Sequence, residues 1–146
     1  MEKVLIVGGV AGGASAAARL RRLREDLEIT VFERGPFVSF ANCGLPYYIG
    51  QVIKEEKRLK LMTPKIFLDR FNIDVKIDHE VKIIDKTNKK ITVENLINEN
   101  KITLDYDYLI LSPGATPIVP SFKGLNEVPF FTLRNIPDSN KIKQYI

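Results

Sequence analysis

The sequence predicts an α/β fold: a parallel sheet flanked by helices, with a small antiparallel β-meander. Three observations predict it. Lys3–Val7 is a short apolar run ended by glycines, as in a buried parallel strand. A helical stretch at 12–24 and a second apolar run, Glu28–Phe32, follow it and complete a β-α-β unit. Farther on, residues 81–84, 90–93 and 101–104 read as three strands of a meander.

In the first helix Ala16, Leu20, Leu23 and Leu27 recur at i, i+4, i+7 and i+11, which predicts one apolar face. Small residues in its first turns let it lie close to a sheet. Residues 35–46 read as a loop. Thr63 is placed to N-cap a helix that opens with Pro64 and runs to about Phe71. A third strand is expected at 73–77, and an Asn-Lys turn joins the first two meander strands. Residues 108–111 form a strongly apolar strand. The runs at 4–7, 29–32, 73–75 and 109–111 can supply most of a parallel sheet. Residues 116–129 are proline-rich and loop-like, 130–133 read as a short strand, and a helix from Pro137 ends the chain. No internal repeat or low-complexity segment interrupts this order.

A chain of 146 residues fits one domain with a real core. The net charge of +4 is too modest, and its lysines too scattered, for a nucleic-acid partner; the cluster Lys86, Lys89 and Lys90 reads as a solvated turn. No apolar run reaches the roughly 18 residues of a membrane span. The N-terminus enters the first strand directly, so no secretory signal is expected. One cysteine cannot form an internal disulfide, so a cytoplasmic location is expected. His79 has no Cys or His partner, so no metal site is expected and a structural histidine is the preferred reading.

The order strand, Gly8-Gly-Val-Ala-Gly-Gly13, helix, strand, Glu33 follows Rossmann-like logic for binding a dinucleotide. Gly8 permits the tight turn. Gly12 and Gly13 present a helix N-terminus to a pyrophosphate. Glu33 lies twenty residues beyond Gly13, where its carboxylate can accept ribose hydroxyls. Gly8 and Gly13 match the first and third glycines of the usual pattern. Val10 stands at the second, and Gly9 or Gly12 supplies the backbone approach instead. A second motif, Asp107-Tyr-Leu-Ile-Leu-Ser-Pro-Gly-Ala-Thr-Pro117, resembles the second flavin-domain signature of two-dinucleotide-domain flavoproteins.

Cys43, the only cysteine, sits in Ser39-Phe-Ala-Asn-Cys-Gly-Leu-Pro-Tyr47. A lone thiol is either a buried, inert core residue or a redox centre. Gly44 and Pro46 are not neighbours expected of a cysteine filling a strand or helix interior, which favours the redox reading.

Residues 4–22, 39–50, 71–81 and 107–117 together resemble the coenzyme A-disulfide reductase branch of the pyridine nucleotide-disulfide oxidoreductases, with NADH oxidases, NADH peroxidases and persulfide reductases as relatives. The likeness covers nearly the whole chain. It implies the single-cysteine group, in which the Cys43 thiolate cycles through a mixed disulfide, persulfide or sulfenate. It also implies that NAD(P)H reduces FAD and the flavin reduces sulfur at Cys43, next to the ring. The substrate is then a small-molecule disulfide or persulfide, with coenzyme A as the candidate. The alternatives are an NADH oxidase or peroxidase with a Cys43 sulfenate, and a non-catalytic nucleotide-binding module. If residues 44–50 are helical, N–H groups at their start would stabilise a thiolate.

By the same resemblance, the cofactor-binding residues are Gly8, Gly9, Val10, Ala11, Gly12, Gly13, Glu33, Arg34, Asn42, Val81, Ser112 and Gly114, with the Val81 backbone reading adenine. Ser39 and Asn42 contact flavin or incoming thiol, or else form the turn. Ser15, Arg19 and Arg22 share one helix face, as a coenzyme A phosphate site or a solvated basic face. A further substrate contact is implied at position 71, where Phe71 supplies no charge. Finally, the likeness implies that residues 1–146 are the N-terminal part of an FAD-binding domain. The NAD(P)H and dimerisation domains of a homodimeric enzyme are then absent from this chain, which has no second glycine-rich fingerprint, and the piece alone is expected to be inactive.

Overall fold

A computed structural model describes residues 1–146, in two compact units: residues 1–40 with 62–113, and residues 41–61 with 114–146. In the first unit, β1 (Lys3–Val7), β2 (Glu28–Phe32), β3 (Asp74–Lys76) and β7 (Tyr108–Leu111) form a parallel sheet in the order β3-β2-β1-β7. β4 (His79–Asp85), β5 (Lys90–Asn95) and β6 (Lys101–Asp105) form the antiparallel meander. The expected sheet and meander are therefore both present.

Side chains alternate across the parallel sheet. Val4, Ile6, Ile29, Val31 and Val75 face a core completed by Ala14, Ala17, Phe67 and Ile73. These come from α1 (Gly12–Leu23), from α3 (Pro64–Phe71) and from the residue before β3. Leu5 and Phe32 join Ile91 and Val93 of the meander in a second cluster. Such full burial contributes about 1.5–3 kcal/mol per large apolar side chain. α3 begins as expected: Thr63 Oγ1 accepts from the Ile66 amide at 3.2 Å and Pro64 opens the helix. It stops at Asn72, whose φ of 47° is left-handed. The Phe71 ring packs against the core beside Phe67.

Two expectations fail. The buried face of α1 is Gly13, Ala14, Ala17 and Arg21; Leu20 is half-buried and Leu23 is 61% exposed. Close packing against β1 sets the helix rotation, so the small residues face the sheet and Leu23 turns away, while Leu20 packs on the edge of the core and Leu27, beyond the helix, is buried in it. Residues 130–133 are not a strand. No neighbouring strand pairs with them, and Phe131 instead packs on Tyr145 of α4 (Ile136–Tyr145), with ring centroids 5.1 Å apart.

Arg21, only 8% exposed, donates to five carbonyls. They belong to Arg24, Glu25, Leu27, Phe71 and Asn72, at 2.6–3.4 Å. One guanidinium thus ties the segment that follows α1 to the end of α3 through backbone acceptors of both. Replacing it with Met (Arg21→Met) strands those acceptors in a buried place. The full-length protein should lose about 3 kcal/mol of stability in a urea titration; a midpoint equal to the parent's would contradict this role.

Candidate functional site

The glycine loop is wedged between the ends of β1 and β7. Gly8 has φ +90°, and a Cβ there would lie 2.0 Å from the Ser112 carbonyl oxygen. A Cβ on Gly13 would lie 1.8 Å from the Gly8 carbonyl oxygen. Only glycine allows this backbone approach. The Gly8 amide donates to Phe32 O and the Ser112 amide to Val7 O, both at 2.8 Å. α1 therefore starts directly above the sheet ends. Ala11 provides no side-chain cap and the first turn holds no acidic residue. The positive end of the helix dipole is thus not neutralised from within, which suits a phosphate.

The two glycines that could serve in place of Val10 have different surroundings. Gly9 is buried against Val38 and Val31. Gly12 is exposed, with Ser112 Oγ at 3.4 Å from where a Cβ would stand. Val10 is half-buried and Ala11 exposed.

Beside the loop, Gly8, Glu33, Arg34, His79, Val81 and Pro113 line an open cleft of about 110 Å³. That is room for part of a ligand rather than a whole one. Glu33 Oε2 accepts from the Gly9 amide and Oε1 from the Gly35 amide, each at 2.8 Å. A carboxylate carries about four acceptor positions, so ribose hydroxyls can still bind. Glu33 thus anchors the glycine loop as well, a role the sequence did not reveal. The strand entering β4 is tied in by His79 N–H to Glu33 O at 3.0 Å. His79 Nδ1 hydrogen-bonds Ile77 O at 2.6 Å, a structural partner. Glycines that a Cβ would block, an uncapped helix start and a carboxylate at the strand end together fit a dinucleotide.

Ser39, with φ 46°, donates its amide to Gly9 O at 2.9 Å. Ser15, Arg19 and Arg22 are exposed on α1.

In the second unit Cys43 is exposed within a short 3-10 turn, Asn42–Gly44, which leads into α2 (Leu45–Ile49). The expected helix over 44–50 is thus shorter, and Cys43 stands inside the turn before it. Pro46 explains the late start, since it fits the first helical turn only. The Ala41 amide donates to Leu59 O at 2.8 Å. Gly114, with φ +72°, lies against Arg134, whose Nε donates to Ala115 O at 2.9 Å. Glu56 accepts from Lys60 at 2.6 Å and Asn140 at 2.8 Å, and Lys143 Nζ stands 3.9 Å above the Tyr48 ring. Sequence reading missed Arg134 and Glu56, because neither belongs to a recognisable spacing.

Fold and cradle together define a dinucleotide-binding α/β protein with an exposed lone thiol. Residues 2–146 match the pyridine nucleotide-disulphide oxidoreductases, an FAD-binding family, and the chain belongs to it. It is 44% identical to the coenzyme A disulfide reductase of Staphylococcus haemolyticus (strain JCSC1435) over its whole length, covering 32% of that protein. The reduced CoADR-RHD protein of Bacillus anthracis superposes with a TM-score of 0.96 at 54% identity, over 99% of this chain and 26% of that one. An NAD-dependent persulfide reductase from A. fulgidus gives 0.91 at 35% identity, over 98% and 26%. The chain thus spans about a third of the curated relative's length.

Two outcomes are expected. Glu33→Ala frees the Gly9 and Gly35 amides and removes a ribose acceptor, so flavin occupancy of the full-length protein should fall, with affinity about tenfold weaker or more. Occupancy equal to the parent's would remove Glu33 from the site. The second concerns Glu56, whose carboxyl is held below its ordinary 4.5 by its bonds to Lys60 and then Asn140. A lowered folded value means the stabilisation is complete above pH 4.5 and is lost as pH falls through the lower folded value. The melting-temperature gap between parent and Glu56→Gln should therefore be widest near neutrality and close on acidification.

Proposed function

We propose that this chain is the FAD-binding portion of an NAD(P)H-dependent reductase of a small-molecule disulfide, coenzyme A disulfide or a persulfide, with Cys43 as the reacting thiol. The observation that carries the reading is the exposed single Cys43 in a chain 44% identical to a coenzyme A disulfide reductase. Residues 1–146 then form the N-terminal part of the FAD-binding domain. The NAD(P)H-binding and dimerisation domains belong to the remainder of a homodimer. One cysteine suits a reducing cytoplasm, and no helix is long and apolar enough to cross a membrane.

When bound, FAD relays two electrons from NAD(P)H to sulfur. Gly8, Gly12, Gly13 and the start of α1 hold its pyrophosphate, Glu33 a ribose, and the Val81 backbone the adenine. Arg34, Asn42, Ser112 and Gly114 complete that set. Cys43, as thiolate, attacks one sulfur of the substrate disulfide. The S–S bond breaks, the first thiolate leaves and takes a proton, and the second half stays as a mixed disulfide on Cys43. Two-electron reduction of that bond releases the second thiol and restores the thiolate. Ser15, Arg19 and Arg22 offer cations and a hydroxyl to coenzyme A phosphates on an exposed helix face.

Cys43→Ser in the full-length enzyme should keep its flavin and lose disulfide-dependent NAD(P)H oxidation by at least about a hundredfold. Rapid mixing with disulfide, persulfide, oxygen and peroxide identifies the acceptor. Undiminished disulfide turnover by the variant would overturn the assignment, and preference for oxygen or peroxide would make the enzyme an oxidase or peroxidase.

A further inference from the structure

We propose that Glu56 is a positioning residue for Cys43, acting through a relay confined to the second unit. This deepens the reading of Cys43 as the reacting thiol and rests on it.

The relay is continuous. The Glu56 carboxylate takes Lys60 Nζ at 2.6 Å on one oxygen and Asn140 Nδ2 at 2.8 Å on the other. It thereby fastens the short 3-10 helix Glu56–Leu59 to α4. Leu59, at the end of that helix, is fully buried. Its carbonyl accepts the Ala41 amide at 2.8 Å. Its Cδ2 would lie 2.9 Å from a Cβ on Gly44, closer than side chains normally approach. Ala41 and Gly44 bracket the turn that carries Cys43, and the Gly44 amide closes that turn on Ala41 O at 3.0 Å. Leu59 thus fixes both ends of the turn, and Glu56 fixes Leu59. A second tie holds the far side of the segment, where Lys143 of α4 caps the Tyr48 ring in α2.

Within itself the Cys43 turn is closed by two local backbone bonds, from the Gly44 amide to Ala41 O and from the Leu45 amide to Asn42 O. It is three residues long, its N-cap makes no side-chain bond, and the thiol itself is exposed. A turn this short holds its geometry only through neighbours. Nucleophilic attack is steep in geometry: an error of about 1 Å can cost a hundredfold. Glu56 touches no reacting atom, so the expected signature is a loss in turnover with binding intact.

The experiment uses the full-length flavoenzyme and three variants: Glu56→Ala, Glu56→Gln and Asn140→Ala. Gln keeps size and one acceptor but loses the ion pair with Lys60, and Asn140→Ala cuts only the tie to α4, so at least one variant is expected to fold. Turnover with a disulfide and the rate of Cys43 alkylation by iodoacetamide are both measured. The expected result is a fall in kcat of about tenfold for Glu56→Ala, with KM within about twofold, flavin content unchanged and a parallel change in alkylation rate. Glu56→Gln should recover part of this loss. A lowered melting temperature with kcat and alkylation rate equal to the parent's, in every variant that folds, would overturn the proposal. Cys43→Ser runs alongside. If it keeps full disulfide turnover, the catalytic reading fails, while the alkylation rates still decide whether Glu56 places the thiol.

Discussion

The first unit depends on one close approach of backbone to backbone. Gly13 sits on the carbonyl of Gly8, and Gly8 sits on the carbonyl of Ser112. This stacks the start of α1, the end of β1 and the end of β7 with no side chain between them. β1 can then lie between β2 and β7, and α1 can lie low enough for Ala14 and Ala17 to be buried. The same approach leaves the helix amides open at the carboxyl ends of parallel strands, the place where such sheets bind ligands. Packing and binding therefore share one constraint, and neither glycine can take a side chain without moving a strand.

Two charged side chains serve the backbone. Arg21 supplies donors to five carbonyls, three in the segment after α1 and two at the end of α3, and Glu33 supplies acceptors to the amides of Gly9 and Gly35. Buried polar chain ends without partners are costly, and charge-assisted bonds are the strong ones. Glu33 joins the two ends of the argument, because the carboxylate suited to ribose also holds the loop suited to pyrophosphate. A substitution there perturbs both at once.

The second unit faces a different problem, which is to expose a thiol without letting it wander. Its backbone turn is too short to be rigid alone. The buried Leu45, Tyr48 and Leu59 anchor the flanks, and α4 adds the polar ties of Asn140 and Lys143. Cys43 itself is left outward. This division between a fixed frame and an exposed thiol is consistent with the role proposed for Cys43.

By itself the sequence determined the paired strands, the starts of α1 and α3 and the glycine cradle. Each of these is local: apolar runs of four or five residues, Thr63 before Pro64, and glycines at a fixed spacing from Glu33. The meander was legible because its strands follow one another through short turns. What only the tertiary structure decided is which way α1 faces, whether 130–133 pairs as a strand, and what Arg21, Glu33, Arg134 and Glu56 hold. The leucine spacing in α1 suggested a face that includes Leu23, but the close approach of Gly13 put Ala14, Ala17 and Arg21 inward and left Leu23 outside, while Leu20 and Leu27 kept their places at the core. Residues 130–133 had strand composition and no neighbouring strand to pair with. Partners such as Asn140 for Glu56, or Phe71 O for Arg21, lie tens of residues away. No local pattern encodes such a contact, since it exists only once the chain has folded.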